Sequence, residues 1–158
     1  MTDQTVFMRD CYRFGNSATV TQVTGTACPC VKSSGSSREW HRLNTGADEC
    51  NGTGLINTTT TTTTVKAFFT NRLQSLMVFL NQFKKSEIGE LDSADLFIFG
   101  VAKASDASYF DISGLKETGD NRANKITFAS EDYLVRHVYS IAGLNETVVG
   151  QVGLLKRI

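Results

Sequence analysis

Tyr133-Leu134-Val135-Arg136-His137-Val138-Tyr139-Ser140-Ile141 sets Tyr133, Val135, His137, Tyr139 and Ile141 against Leu134, Arg136, Val138 and Ser140. That alternation has period two, which puts alternate side chains on opposite faces of a strand. Ala142-Gly143-Leu144-Asn145-Glu146 can turn the chain, and Thr147-Val148-Val149-Gly150-Gln151-Val152-Gly153-Leu154-Leu155 returns. The pair is predicted as a β-hairpin.

Working outward, Asp95 to Ala102 carries Leu96-Phe97-Ile98-Phe99 and reads as a core strand. Between it and the hairpin, Lys103 to Asn124 is polar and broken by Gly114 and Gly119, so loops are expected, with room for a short strand near Tyr109–Ile112. Leu73, Leu76, Met77 and Leu80 fit a helical stripe, while Met77-Val78-Phe79-Leu80 equally fits a buried strand. Thr58 to Thr64 are consecutive threonines followed by Val65-Lys66-Ala67-Phe68-Phe69. Threonine is β-branched and stiff at χ1, which favours extended backbone over a low-complexity tail. Such a strand specifies its register weakly, because its two faces look alike. Ala18 to Thr24 is a further candidate strand, and Val6, Phe7, Cys11 and Phe14 recur at helical spacing. These readings predict a mainly β fold: a small antiparallel barrel or sandwich with a short N-terminal helix and a long cysteine-containing loop.

The chain has 158 residues. One domain over 1–158 is the natural reading, with residues 25–56 as a loop insert and 58–158 as the strand-rich core. Sixteen basic and sixteen acidic side chains cancel. A neutral chain has no strong counterion-release drive toward nucleic acid and no polybasic handle for a membrane. No apolar run reaches the roughly eighteen residues that a spanning helix needs, and the first residues lack a signal-peptide pattern. A cytoplasmic origin follows as an expectation, and with it cysteines held as thiols or metal ligands rather than disulfides.

Residues 25–56 hold three of the four cysteines and the single tryptophan, Trp40. A structureless loop of about thirty residues is uncommon in a compact domain and is usually functional. Cys28, Cys30, His41 and Cys50 supply three thiolates and an imidazole, a donor set suited to tetrahedral zinc. A loop without a core can be folded by such a metal, since binding energy becomes folding energy. Cys11 in place of His41 is the alternative fourth ligand, from a separate segment. His137 lies within an alternating strand and is read as structural. Nucleophile-elbow, phosphate-loop and zinc-protease patterns are missing, so a non-catalytic role is expected.

Three stretches resemble the small neck proteins of tailed bacteriophages, the head completion, stopper or head–tail connector family. The first is Ala27-Cys28-Pro29-Cys30 with Cys50-Asn51-Gly52-Thr53-Gly54-Leu55-Ile56, similar to a Cys-x-Cys followed by Cys-x-x-Cys-x-Gly-x-Gly. Ala47 stands where the first cysteine of that second pair would be, so His41 would have to supply the ligand. The second is Val65–Phe69 with Gly89–Phe99, and the third is Tyr133–Val138 with Gln151–Ile158. The resemblance implies a virion protein of the neck and a homo-oligomeric ring between portal or adaptor and tail proteins. Genome DNA would pass through it without sequence-specific binding, and no membrane would be involved. The alternative is a small zinc-binding module that recognises nucleic acid or protein.

Overall fold

The computed structural model describes residues 3–28, 50, 52–72, 94–118, 121–142 and 148–158. The stripe at Leu73–Leu80, most of the 25–56 loop, Gly89–Ser93 and the turn between the two C-terminal strands lie outside these residues.

One helix, α1 (Asp3–Phe14), precedes six strands: β1 (Asn16–Ala27), β2 (Leu55–Thr70), β3 (Leu96–Lys103), β4 (Lys125–Phe128), β5 (Glu131–Ala142) and β6 (Val148–Arg157). Every neighbouring pair is antiparallel, and the order β1-β2-β3-β6-β5-β4 closes on itself as a barrel. Two three-stranded meanders thus face each other, and the pairing of Thr19–Thr21 with Lys125–Thr127 closes the ring. The expected hairpin is β5–β6, and the threonine run is part of β2.

The inward positions form the core: Val20, Val65, Ile98, Val101, Ile126, Val135 and Leu155 are fully buried. Ile98 and Val101 both point inward although three residues apart, because the β2–β3 register shifts between Lys66 and Phe68. Gly100 absorbs the shift at φ +65°, where an added Cβ would collide with the Cys11 sulfur. Opposite Ile98, Gly153 leaves room for Ile98 and Ile112; a Cβ there would stand 2.8 Å from Ile98 Cγ2.

β3 and β4 stand on opposite sides of the ring, so the chain between them must cross one barrel end. That crossing drops Phe110, Ile112 and Leu115 into the core as a plug. Two buried amides fix it. Gln151 Oε1 accepts from Ile112 N at 2.8 Å, and its Nε2 donates to Asp111 Oδ1 at 2.8 Å. Asn124 Oδ1 accepts from Val23 N at 2.8 Å. Tyr109 makes a single bridge to Ala102, so the expected short strand is instead the start of the plug. At the other end Phe69 and Phe128 stack with centroids 3.8 Å apart.

The outer wall of β3, β5 and β6 is also apolar, through Phe97, Val152 and Leu154 with Tyr139 and Ile141. α1 packs nearby through Phe7, Met8 and Cys11. Of the expected apolar stripe, Phe7 and Cys11 face the barrel, whereas Phe14 is 72% exposed. Met8 is the buried residue that the stripe omitted, one position along the same face.

The 25–56 loop was expected without strands, and its two ends differ from that. Thr26 pairs with Ile56 and Ala27 with Leu55, beyond a bulge in β2 where Asn57 and Thr58 together oppose Gly25. β1 and β2 therefore run past the barrel as a two-stranded ribbon.

Candidate functional site: the ribbon tip and the cleft beside it

Register decides what the ribbon brings together. Ala27 opposes Leu55, and the next amide, Cys28 N, donates to Gly54 O at 2.9 Å. Cys50 reaches the same place through a turn: Thr53 N and Thr53 Oγ1 donate to Cys50 O at 3.0 and 2.6 Å. Gly52 and Gly54 have φ of +81° and +87°, a backbone that only glycine adopts without strain. The glycines after Cys50 are thus what fold it back beside Cys28.

Two of the four proposed metal donors, Cys28 and Cys50, therefore sit on adjoining backbone at one tip. Cys30, His41 and Trp40 lie outside the described residues. Among the described residues no three Cys, His, Asp or Glu side chains gather at one point. Cys50 is buried and keeps its thiol. Cys28 is half-buried and disulfide-bonded. That differs from the expectation of reduced thiols or metal ligands at this position.

Cys11 is excluded as a partner of Cys28. It lies in α1, before the start of β1, whereas Cys28 follows the end of that twelve-residue strand. At about 3.3 Å per residue the two are separated by most of the strand's length. Cys11 is instead fully buried with Met8 and Ala102. Burial, reinforced by the nearby Asp10 charge, pushes its thiol up to about 12. It cannot ionise at neutral pH and behaves as a small apolar core residue.

Beside the tip a cleft of about 580 Å³ is lined by Cys50, Thr53, Asn57, Thr60, Arg122 and Lys125, among others. The segment 121–124 forms one wall. Arg122 N donates to Thr53 O at 2.9 Å, and Asn121 Nδ2 to Val23 O at 3.2 Å. Its cations are engaged: Lys125 bonds Asp132 at 2.5 Å, and Arg122 stands 3.5 Å from Glu117. Glu117 is 12% exposed and lies between Arg122 and Arg136, the latter at 2.9 Å. With Val23, Leu55, Ile56 and Ile158 also in its lining, the cleft is apolar and hydroxyl-bearing more than charged, which suits packing of a neutral chain better than capture of a polyanion.

His137 stacks on Tyr139 with centroids 4.5 Å apart, on a strand that does not form the ribbon. Asn124 and Gln151, which hold the plug, carried no sequence signal: an amide side chain reads as surface until its partners are known. No helix among the described residues is long and apolar enough to cross a membrane. No known protein family, curated protein or solved structure matches the chain.

Proposed function

We propose that this chain is a structural protein of a tailed-phage head–tail connector, located in the virion neck. In this reading it assembles as a ring that joins the portal or head to the tail and lines or closes the DNA channel. The observation that carries it is where the resembling stretches fall. Val65–Phe69, Leu96–Phe99, Gln151–Arg157 and Tyr133–Val138 lie on four consecutive strands, β2, β3, β6 and β5, and the cysteine stretch lies on the ribbon that leaves them. They make one continuous wall with a projecting arm, a shape suited to an assembly role. A formal charge of zero is compatible with DNA sliding past. The test is native mass spectrometry and electron microscopy of the concentrated protein. Rings of one size, with more than two copies and a central opening, are expected. Particles of only one or two copies at every concentration would overturn the ring.

The ribbon tip carries a structural zinc in the same proposal, on Cys28, Cys30, His41 and Cys50. The register that sets Cys28 beside Gly54 and folds Cys50 onto the same place supports it. Four protein donors leave no open position, so the metal would order the tip rather than catalyse. A disulfide sulfur has no thiolate to offer, so the zinc form belongs to the reduced chain. One zinc per chain after purification under reducing conditions, lost in Cys50→Ser, is the expected result. A fully reduced chain that takes up no zinc would remove the site.

A further inference from the structure

Closing a sheet into a barrel removes its edges. A bare edge remains where a strand runs past its barrel neighbour, and β2 does so through its threonines. Thr64 O accepts from Ala104 N at 3.0 Å, so that carbonyl points away from β1. Alternation turns the N–H and C=O groups of Thr58, Thr60 and Thr62 to the same side, while those of Thr59, Thr61 and Thr63 face β1. β3 leaves β2 at Lys103, opposite Val65. Among the described residues nothing pairs with β2 on that side before Thr64. Thr58 to Thr62 are exposed.

Natural sheets blunt such an edge with lysine, proline or short length. Here no residue from Leu55 to Val65 is charged or proline. The other ribbon edge is treated differently: Val23 is bonded on its far side through both N and O, to Asn124 and Asn121.

We propose that the Thr58–Thr62 edge of β2 pairs with the same edge of a second copy, antiparallel about a two-fold axis. The occupant follows from three features. A second copy presents the same exposed, uncharged threonine edge. The edge carries no charge, and the chain's formal charge is zero, so nothing repels its own image. Antiparallel self-pairing sets each donor against an acceptor, and every cross-strand pair is threonine against threonine, a favourable pairing. The contact is isologous and closes at two copies, whereas a ring needs heterologous contacts. It is therefore separate from the ring, and it does not rest on the neck reading.

Sedimentation over rising concentration, with amide exchange at each stage, tests the pairing on the intact chain. Expected is a mass doubling from 17.3 kDa, with Thr58, Thr60 and Thr62 amides exchanging slowly only in the doubled species. Thr60→Pro removes one N–H from the bare side and none from the β1 ladder, so it should weaken pairing by about tenfold or more while the monomer stays folded. Thr61→Pro strikes the β1 ladder instead and reports what damage to the ribbon itself looks like. A monomer at every concentration would overturn the proposal. So would a dimer unaffected by Thr60→Pro. Rings of more than two copies with fast exchange at these amides would also overturn it, and would leave the neck reading standing.

Discussion

Residues whose neighbours decide their chemistry carry the least warning in the sequence. Cys11 is one of four cysteines and was weighed as a metal ligand, yet it is core. Its folded pKa of about 12 lies above the ordinary 9.0, so folding favours the neutral thiol. Stability from that burial is complete below pH 9 and is lost as pH rises toward 12. Tyr109 behaves alike: burial, with Asp111 nearby, raises it from 10.0 to about 12. The melting temperature should therefore hold steady to about pH 9 and then fall. In Cys11→Ala the fall should begin nearer pH 10, because only Tyr109 of this pair remains. Thermal melts across that range check it; identical profiles for the two proteins would show that Cys11 is not the source. Gln151, by contrast, was legible only as one position of a strand, and it is the partner across the barrel, Ile112 N, that gives it a role.

Elements with period two were legible, and those defined by turn chemistry were not. β5 follows directly from its alternation, and β6 from the turn that returns the chain beside it. β4 escaped because it has four residues and its connection to β5 lacks a glycine signal. Phe128 pairs with Glu131 across Ala129 and Ser130, whose φ values are +51° and +66°. Two left-handed residues make the primed turn that suits a twisted hairpin, a place where Asn-Gly is usual. Each non-glycine in that region is strained by about 1 kcal/mol or more. Ser130→Gly should accordingly stabilise the protein by about 0.5–1 kcal/mol, after the glycine's extra unfolded-state entropy is offset. Urea denaturation measures it, and a loss of stability would mean that Ser130 makes a contact worth more than the strain. The pair Thr127–Asp132 holds the same hairpin, with Thr127 Oγ1 donating to the carboxylate at 2.6 Å.

On the scale of the whole molecule, the barrel and the ribbon are stabilised by different means. The barrel buries a continuous core and has no edges. The ribbon tip has two strands and glycine turns beside Cys50, and an isolated pair of strands is marginally stable by itself. If the proposed zinc orders the tip, chelation of the reduced protein should speed amide exchange at Cys28, Cys50 and Thr53. β5 and β6 should stay protected. Hydrogen exchange with and without chelator reads this directly, and equal protection at the tip in both conditions would sink the metal's ordering role.

The sequence by itself determined that the chain is strand-rich, that a short helix opens it, that the threonine run is extended, and that three of the four cysteines cluster in one segment. Each of these is a local property, set by side-chain branching, periodicity or spacing. Only the tertiary structure decided that the sheet closes as a barrel rather than packing as two layers. Closure depends on Val20 meeting Ile126 across 106 residues of chain, and no local pattern encodes that pairing. Tertiary structure likewise decided which cysteine is core and which stands at the tip, because burial and adjacency belong to the fold. The polar segment after β3 became a plug for the same reason: Phe110, Ile112 and Leu115 are too few to make an element, but they suffice to fill a barrel end.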